Sequence, residues 1–266
     1  MRATSERRTP GFPKSAQDRV QDVFHIFPYH LVAERAKEHS RVLEVGFGEG
    51  YGSEILAPVI GEYVGLDVAK EAAEHANAHH GKKNVHFQVY DGTTMPFADE
   101  SFDIIISFHV LEHLTDPGSF VGELRRVCRR GGRTVLVTPN AAFRLAPGER
   151  PWSRFHVREF TSGELMGLLT QHFFDSAIEI KGIAGSNAMN ELERDRVMRA
   201  RRLAKLDPLG LRYRFPEAFM LPLRRLLMST PHGRSAASGE PSFSLADVHV
   251  VECLDDAPHL IAIAEH

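Results

Sequence analysis

Cysteine is scarce in this sequence of 266 residues, and no long apolar run occurs. Cys128 and Cys253 show no close spacing of the kind that marks a metal or redox pair. No stretch reaches about 18 apolar residues, which excludes a transmembrane helix. The basic N-terminus has no apolar stretch behind it and is not expected to be a signal peptide. We therefore expect a cytoplasmic protein with both thiols reduced.

A strong charge of either sign is also missing. The formal net charge is −3, which argues neither for nor against any partner. The 42% hydrophobic and 25% charged residues are the balance of an ordinary globular protein. The length suits one domain. We expect residues 1–15 to be a flexible polar arm and residues 16–266 to form that domain.

Short apolar runs alternate with helical stretches through the first half of the chain. The runs read as strands, and each is followed by a turn or an amphipathic segment: 41–45, 63–67, 84–90, 102–107 and 133–139. Such alternation with short crossovers predicts a doubly wound α/β fold, in which helices cover both faces of a mostly parallel sheet. That architecture binds ligands at the carboxyl ends of its strands.

The two ends of the domain are predicted from the same patterns. Residues 18–38 have the spacing of an amphipathic helix that Pro28 should interrupt or kink. Residues 161–171 predict a capped helix, followed by a strand near 174–181, and the last strand is predicted at 259–264. Between them we interpret 184–250 as a helical insertion that covers the acceptor site.

The segment LEVGFGEGYGS places Gly46, Gly48 and Gly50 directly after a strand. Glycines there permit a tight turn and a close approach of the backbone to a ligand. A dinucleotide fingerprint needs a further glycine where Tyr51 stands, so this spacing differs from it. Glu44 ends the buried strand, and a buried carboxylate requires a cationic or hydrogen-bonding partner. The ammonium of an aminoacyl ligand would satisfy it.

Two more acids follow the next two strands. Asp67 can accept hydrogen bonds from both hydroxyls of a ribose. Asp91 can accept from an adenine amino group, with Gly92 and Thr93 lining the pocket. Each acid alone is more often a strand-end or turn residue, but three at successive strand ends favour a nucleoside site.

At this point the sequence resembles the class I S-adenosylmethionine-dependent methyltransferases. The resemblance covers about residues 28–182, and weakly 247–264. Five motifs carry it, in the order of the family: VLEVGFGEGYGS, YVGLDVA, DGTTMPFADESFDIIISFHVLEHL, LRRVCRRGGRTVLVTPN and FHVREFTSGELMGLL.

The resemblance implies a seven-stranded sheet with its last strand antiparallel, and S-adenosyl-L-methionine as cofactor. It also implies which residues bind each part of the cofactor. The amino acid part is held by Glu44, Gly46, Phe47, Gly48 and Gly50, and the ribose by Asp67. The adenine is bordered by Val68, Asp91, Gly92 and Thr93, and the sulfonium by Ser107 and His109.

The segment TPN…FHVREFTSGEL resembles a branch that methylates sugars, glycolipids or secondary metabolites. If the acceptor is a hydroxyl, a base must remove its proton, and histidine is the natural base near neutral pH. His109 and His113 are the first candidates and His156 the second. Trp152 and Phe155 are candidates to close over the methyl site. Glu112 beside His113 suggests part of a metal site, but no third ligand stands at convincing spacing, so no metal is predicted.

The basic insertion has two interpretations. Its arginines form a solvated helix face, or some of them clamp an anionic acceptor. The first group, which has acidic residues between its members, consists of Arg194, Arg196, Arg199, Arg201 and Arg202. The second group has fewer acidic residues around it and is the better candidate for a clamp: Arg212, Arg214, Arg224 and Arg225.

The leading hypothesis is a methyltransferase acting on a hydroxyl oxygen of a small-molecule or glycan-type acceptor, and three alternatives compete with it. One is an N- or C-methyltransferase of a metabolite. Another is an RNA-directed methyltransferase or RNA-binding protein, against which stand the negative net charge and the absence of an RNA-binding motif. The last is a nicotinamide-dependent oxidoreductase, against which stands Tyr51. The sequence does not predict an oligomeric state.

Overall fold

The computed structural model describes residue 13 and residues 15–205 and 242–266. Within these ranges eight strands form one sheet: β1 (Arg41–Val45), β2 (Glu62–Asp67), β3 (Val85–Val89), β4 (Phe102–Phe108), β5 (Cys128–Pro139), β6 (Ala177–Gly185), β7 (Val248–Val251) and β8 (His259–Glu265). The helices are α1 (Ala16–Arg35), α2 (Gly52–Leu56), α3 (Lys70–His80), α4 (Pro117–Val127), α5 (Ala141–Arg144), α6 (Ser162–His172) and α7 (Asn187–Lys205). Single 3₁₀ turns lie at Leu111–His113 and Leu245–Asp247.

The strand order is β3-β2-β1-β4-β5-β8-β6-β7. The first five strands in this order pair in parallel, and β8 runs antiparallel to both β5 and β6. The predicted α/β class and the antiparallel last strand are confirmed. The predicted count of seven strands is wrong, because β7 adds an antiparallel edge strand beside β6. Three of its four residues lie within the segment 184–250 that the sequence pattern assigned to the insertion.

Helices cover both faces of the sheet. On β4, Ile104 and Ile106 join a core that includes α1, α3 and α7, whereas Ile105 joins a second core with α4 and α6. Alternate strand residues point to opposite faces, so a continuous apolar strand supplies both cores. The continuous apolar pattern of 102–107 follows from this double burial.

Helix α1 runs without a break from Ala16 to Arg35, with Pro28 inside it. The predicted interruption at Pro28 is therefore wrong, although proline cannot donate the backbone hydrogen bond of that turn. The buried Phe24 and Tyr29 on either side pack into the core and hold the helix in place. Tertiary packing outweighs the local cost.

Helix α4 ends earlier than its sequence pattern suggests. It stops at Val127, and Cys128 begins β5 by pairing with Phe102. Gly131, with φ of +72°, lies within β5 near the irregular pairing of β4 and is not the helix cap. The sequence GSFVGELRRVCRR, followed by two glycines, predicts a helix that ends at Gly131-Gly132. That prediction is wrong, because Cys128 already pairs with β4.

The insertion is helical where the structure describes it. Asn187–Lys205 form α7, while residues 184–185 complete β6 and 248–250 belong to β7. Residues 206–241, with the arginines at 212, 214, 224 and 225, lie outside the described residues. Most of the predicted arm at 1–15 does so too. Among the described helices, none is long and apolar enough to cross a membrane.

The strand order reverses at β1, which has β2 on one side and β4 on the other. The connections from the two neighbouring strands therefore leave in opposite directions and open a crevice at the carboxyl end of β1. Ligands bind at such switch points in α/β sheets. The residues that follow β1, β2 and β4 form the candidate site.

Candidate active site

The turn after β1 is built by its glycines. Gly46, Gly48 and Gly50 have φ of +85°, +58° and +84°, in the left-handed region that favours glycine. A Cβ on Gly46 would lie 2.3 Å from Cγ2 of Val110, so the loop after β4 packs directly on the turn. A Cβ on Gly48 would meet nothing within 4 Å. The turn is thus packed on one side and open at Gly48.

Asp67 connects this turn to the end of β2. Its carboxylate accepts a hydrogen bond of 3.1 Å from the amide of Gly48 and one of 2.9 Å from the amide of Ala69. A carboxylate has about four acceptor positions, so two backbone amides leave capacity for a ligand. Val68, which follows, is half-buried. The structure thus brings the glycine turn and Asp67 together.

Asp91 lies beyond β3 and is exposed. Its Oδ1 accepts hydrogen bonds from the amides of Thr93 (2.8 Å) and Thr94 (3.0 Å). Hydrogen bonds from the Thr93 side chain and these amides hold the pKa of Asp91 below its usual value. Gly92 has φ of +80° and permits this turn. The acid therefore organises its own loop and remains exposed.

Glu44 is buried, with only 1% of its surface exposed. Tyr29 donates a hydrogen bond of 2.5 Å to Oε1, and the hydroxyl of Tyr63 donates to Oε2. Burial raises the pKa of Glu44 to about 7, the two tyrosine hydrogen bonds oppose this, and the charge of Asp67 adds to it. The partner that a buried carboxylate requires is thus supplied from within the protein.

The two tyrosines were not identified from the sequence. Glu44 pairs with Gly65 across β1 and β2, so Tyr63 lies two positions along on the same face as Gly65. Once the strands are predicted, the alternation of faces along β2 is enough to place Tyr63 on the side of Glu44. Tyr29 lies on α1, and only the docking of that helix brings it to β1.

Ser107 and His109 lie at the end of β4, where the first holds two strands together and the second has an unusual backbone conformation. The Ser107 hydroxyl donates a hydrogen bond of 2.9 Å to the carbonyl of Val45, which fastens β4 to β1. His109 has φ of +57°, a conformation uncommon outside glycine that clusters at functional sites. Its amide donates to the carbonyl of Val137 at 2.8 Å.

The His109 ring lies among three other ionisable side chains. Nδ1 is 3.5 Å from Oε1 of Glu112, and the ring stacks on His25 with centroids 4.2 Å apart. His259 meets it edge-on at 5.1 Å. Nε2 of His109 is buried and has no hydrogen-bond partner within the described part of the chain. A buried ring nitrogen without a hydrogen-bond partner is rare in folded proteins and is therefore a candidate contact for a ligand.

The three histidines predicted as candidate bases all lie near the carboxylate of Glu112. It is 1% exposed, and burial alone would raise its pKa. The hydrogen bond from His109 and the charges of His109, His113 and His156 outweigh burial and lower the pKa to about 2. His113 and His156 meet edge-on with centroids 5.1 Å apart. The structure therefore supplies, in His156, the third neighbour that sequence spacing did not show.

Helix α7 is tied to the site by buried charges. Glu193 accepts a hydrogen bond of 2.6 Å from Gln21 on α1 and is paired with Arg196. Arg144 lies 3.9 Å from Glu193 and 2.8 Å from Glu159. Other arginines of the helix pair with residues of other segments: Arg194 with Asp256, Arg199 with Gln17 and Arg201 with Glu149. These arginines are neither simply solvated nor uniformly free to clamp a ligand.

Comparison with known proteins identifies the class. Residues 43–136 match the family described as "Methyltransferase domain". A probable S-adenosylmethionine-dependent methyltransferase of Mycolicibacterium smegmatis is 34% identical over 174 residues, which cover 65% of each chain. The chloroplastic tocopherol O-methyltransferase of Arabidopsis thaliana is 37% identical over 130 residues, 47% of this chain and 37% of the relative.

The fold is shared more widely. The crystal structure of the YcgJ protein from Bacillus subtilis superposes with a TM-score of 0.53 at 20% identity, covering 91% of this chain and 97% of that one. The matched region spans 65% of the first curated relative and 52% of the next. Fold and glycine turn together define a Rossmann-like methyltransferase domain. Residues 43–136 match a methyltransferase domain, and the chain is similar to S-adenosylmethionine-dependent methyltransferases, as the sequence motifs predicted.

Proposed function

We propose that this chain binds S-adenosyl-L-methionine at the Gly46–Gly50 turn and transfers its methyl group to a hydroxyl oxygen of a small-molecule or glycan-type acceptor. The observation that carries the proposal is the glycine turn, whose Gly48 amide is bonded to the Asp67 carboxylate at 3.1 Å. The similarity to a tocopherol O-methyltransferase supports a small-molecule hydroxyl acceptor.

The residues of the turn fit the cofactor. The open space at Gly48 admits a ligand against the backbone, and a side chain there would fill it. Asp67 has acceptor capacity left for the ribose hydroxyls. Val68, Asp91, Gly92 and Thr93 border the adenine side in this proposal.

In this proposal Glu44 supports the cofactor site without contacting the cofactor. Both of its oxygens accept from tyrosine hydroxyls, and it is almost fully buried. We assign it the role of fixing Tyr29 and Tyr63 behind the turn, so that the amino acid end of the cofactor is held by the turn itself. Gly46, Phe47 and Gly50 set the path of that backbone.

The chain's own residues must align the acceptor, exclude water and accept a proton. When bound, S-adenosyl-L-methionine supplies a methyl carbon already activated by the adjacent sulfonium. Alignment of reactants contributes several kcal/mol to such a displacement, with roughly 7–11 as the limit. The acceptor hydroxyl has to lie near the ends of β1 and β4, where Ser107 and His109 stand.

His109 is the proposed base. Its Nδ1 faces the buried Glu112 carboxylate, which orients the ring, and Nε2 is left to take a proton from the acceptor. His113 and His156 differ from it, because among the three candidate histidines only His109 has a buried Nε2 without a hydrogen-bond partner within the described residues. We assign those two histidines no proton transfer.

An anionic acceptor is supported by a depression beside α7. It is lined by Arg150, Lys205 and Trp152, together with the ion pair of Arg201 and Glu149, so that its net charge is positive. The guanidinium of Arg144 lies 4.4 Å from the centre of the Trp152 ring, on the side that leads to Glu159. In this proposal the described part of the insertion forms one wall of the acceptor site.

The first experiment measures cofactor binding and methyl transfer separately. Calorimetry with S-adenosyl-L-methionine should give one site, and Asp67→Ala should weaken it at least tenfold, while Asp255→Ala, an exposed acid far along the chain, should leave it unchanged. Methyl-labelled cofactor with an extract of the source organism should then label small polar or glycolipid species. Label in RNA or protein would replace the acceptor class, and no binding at all would refute the proposal.

The second experiment concerns the base. His109→Asn should lower kcat about 100-fold or more, since base catalysis typically contributes 10²–10⁴-fold, with little change in the affinity for the cofactor. His86→Asn, an exposed histidine on β3, is the matched control. Equal loss in both variants, or none in either, would remove His109 from that role.

A further inference from the structure

We propose that Glu112, His113 and His156 bind a divalent transition-metal ion. One ligand atom from each of the three side chains lies within 4.8 Å of the others, and this is the metal-capable group of three that the described residues contain. Zinc-like ions hold nitrogen and oxygen ligands at about 2.0–2.2 Å, so closing around an ion requires side-chain movements on the order of 1 Å.

Both histidines are oriented as metal ligands are. Nδ1 of His113 lies 3.0 Å from the carbonyl of Phe155, and Nδ1 of His156 lies 2.7 Å from Oε1 of Glu159. An acceptor at Nδ1 places the proton there and leaves the lone pair on Nε2. Metal-binding histidines characteristically donate their other ring nitrogen to a carbonyl or carboxylate in this way.

These supporting groups are themselves held. Glu159 is buried, and its second oxygen accepts a hydrogen bond of 2.8 Å from Arg144. The carbonyl of Glu112 accepts from the amide of Val157 at 2.7 Å, which joins the turn after β4 to the segment carrying His156. The ligands from two distant segments are therefore fixed relative to each other by main-chain and side-chain bonds.

Glu112 is a buried carboxylate whose cationic neighbours among the described residues are histidines. It is 1% exposed, and Thr138 is a neutral donor to it at 3.2 Å. Burying a carboxylate is costly unless it is paired or coordinates a metal. Among the described residues, no lysine or arginine forms an ion pair with Glu112. Its ion-pair partner is His109, which carries a charge only when it is protonated. A cation between Glu112 and the two histidines would supply that charge.

The ligand set selects the kind of ion. Two imidazoles and one carboxylate suit Zn²⁺, Fe²⁺, Co²⁺ or Mn²⁺, whereas Mg²⁺ and Ca²⁺ prefer all-oxygen sites. Three protein ligands leave coordination positions open, which is typical of catalytic rather than structural sites. Val110, two residues before Glu112, packs on Gly46 of the turn. If the proposed function holds, an open position of the ion takes the acceptor oxygen and makes its hydroxyl more acidic.

The test must exclude metal binding at a second pair of histidines, which lies on the surface. His75 and His79 stack one turn apart on α3 and are exposed, so they can bind ions weakly. All measurements therefore use His79→Ala as the parent protein. The probes are Co²⁺, followed by its visible absorption, and Zn²⁺, followed by calorimetry, both without cofactor or acceptor.

We expect one ion per chain in the parent, with Co²⁺ bands of a four- or five-coordinate nitrogen and oxygen site. Glu112→Gln, which keeps the size of the side chain, and His156→Ala should each weaken binding at least tenfold. Glu159→Gln, outside the ligand set, should weaken it about 10–100-fold by releasing His156. His86→Ala should change nothing.

Absence of stoichiometric binding to the folded parent would overturn the proposal, and so would equal binding by the parent and Glu112→Gln. Because the parent's own spectrum reports the site, the test does not depend on any one variant folding. Cofactor calorimetry on the same parent keeps the two proposals apart. Cofactor binding without metal binding would refute the metal site alone.

Discussion

Tyr29 on α1 donates a 2.5 Å hydrogen bond to Glu44 at the end of β1, although the two residues belong to different layers of the fold. The ring of Tyr29 also packs on Gly52, where a Cβ would lie 2.1 Å from Cε1 of the ring. The first helix is thereby fastened to both sides of the glycine turn. Stability of the turn and docking of α1 are coupled through this pair.

The first prediction concerns pH and the stability of the ligand-free protein. The pKa of Glu44 is about 7 in the fold, against 4.5 for an ordinary glutamate. Between these values the folded state holds a proton that the unfolded state has released, so the free energy of unfolding falls as pH rises, by up to about 3 kcal/mol in total. The contribution is fully present below pH 4.5 and lost through pH 7.

Glu44→Gln removes this titration. Urea unfolding from pH 5 to pH 8 should therefore show wild type losing stability relative to Glu44→Gln as pH rises. A difference between the two proteins that does not change with pH would show that Glu44 is ionised in the fold.

The second prediction concerns the tyrosine hydroxyls. Tyr29→Phe and Tyr63→Phe each leave the buried Glu44 with one donor fewer, and should lower the free energy of unfolding by about 1–3 kcal/mol. Tyr90→Phe is the matched control, since its buried hydroxyl has no hydrogen-bond partner within the described residues. Chemical denaturation measures all three, and equal losses would attribute the effect to the hydroxyl's own packing.

The third prediction separates a clash from backbone strain. Gly46→Ala introduces a Cβ 2.3 Å from Val110 at φ of +85°, and should cost several kcal/mol. Gly148→Ala, at φ of +77° with nothing within 4 Å, should cost only the strain of about 1–2 kcal/mol. Adding Val110→Ala should restore part of the stability of Gly46→Ala. If it restores nothing, the clash is not the cause.

The fourth prediction uses Gly48 to test whether the open space is ligand space. Gly48→Ala has φ of +58° and no neighbour within 4 Å, so its cost in stability should match that of Gly148→Ala. Under the proposed function its Cβ enters the cofactor's position, and calorimetry should show at least tenfold weaker binding of S-adenosyl-L-methionine. Unchanged affinity would move the cofactor away from this face of the turn.

The fifth prediction concerns the buried charges that hold α7. Glu193 has no exposed surface, so Glu193→Gln leaves Arg196 and Arg144 short of a partner and should cost about 3–5 kcal/mol. Asp175→Asn, in an exposed pair with Arg125, should change the midpoint of thermal unfolding little. Similar shifts in both variants would mean that α7 docks by apolar contacts alone.

The sequence by itself determined the parts of the protein that depend on local pattern. The alternation of apolar strands and helices predicted the α/β sheet, and the glycines at 46, 48 and 50 predicted a turn that requires left-handed backbone. Thr161 and Glu164 form the cap that begins α6. Each of these features is encoded within a few neighbouring residues, where propensity and capping act directly.

The tertiary structure decided what depends on distant segments meeting. The docking of α1 brings Tyr29 to Glu44, and the bonds from Val157 to Glu112 and between His113 and Phe155 hold His156 beside His113. The edge strand β7 exists because four residues near the C-terminal end pair with β6. A sequence pattern specifies which face of an element is apolar, but the partner of a buried charge is set by packing across the whole chain.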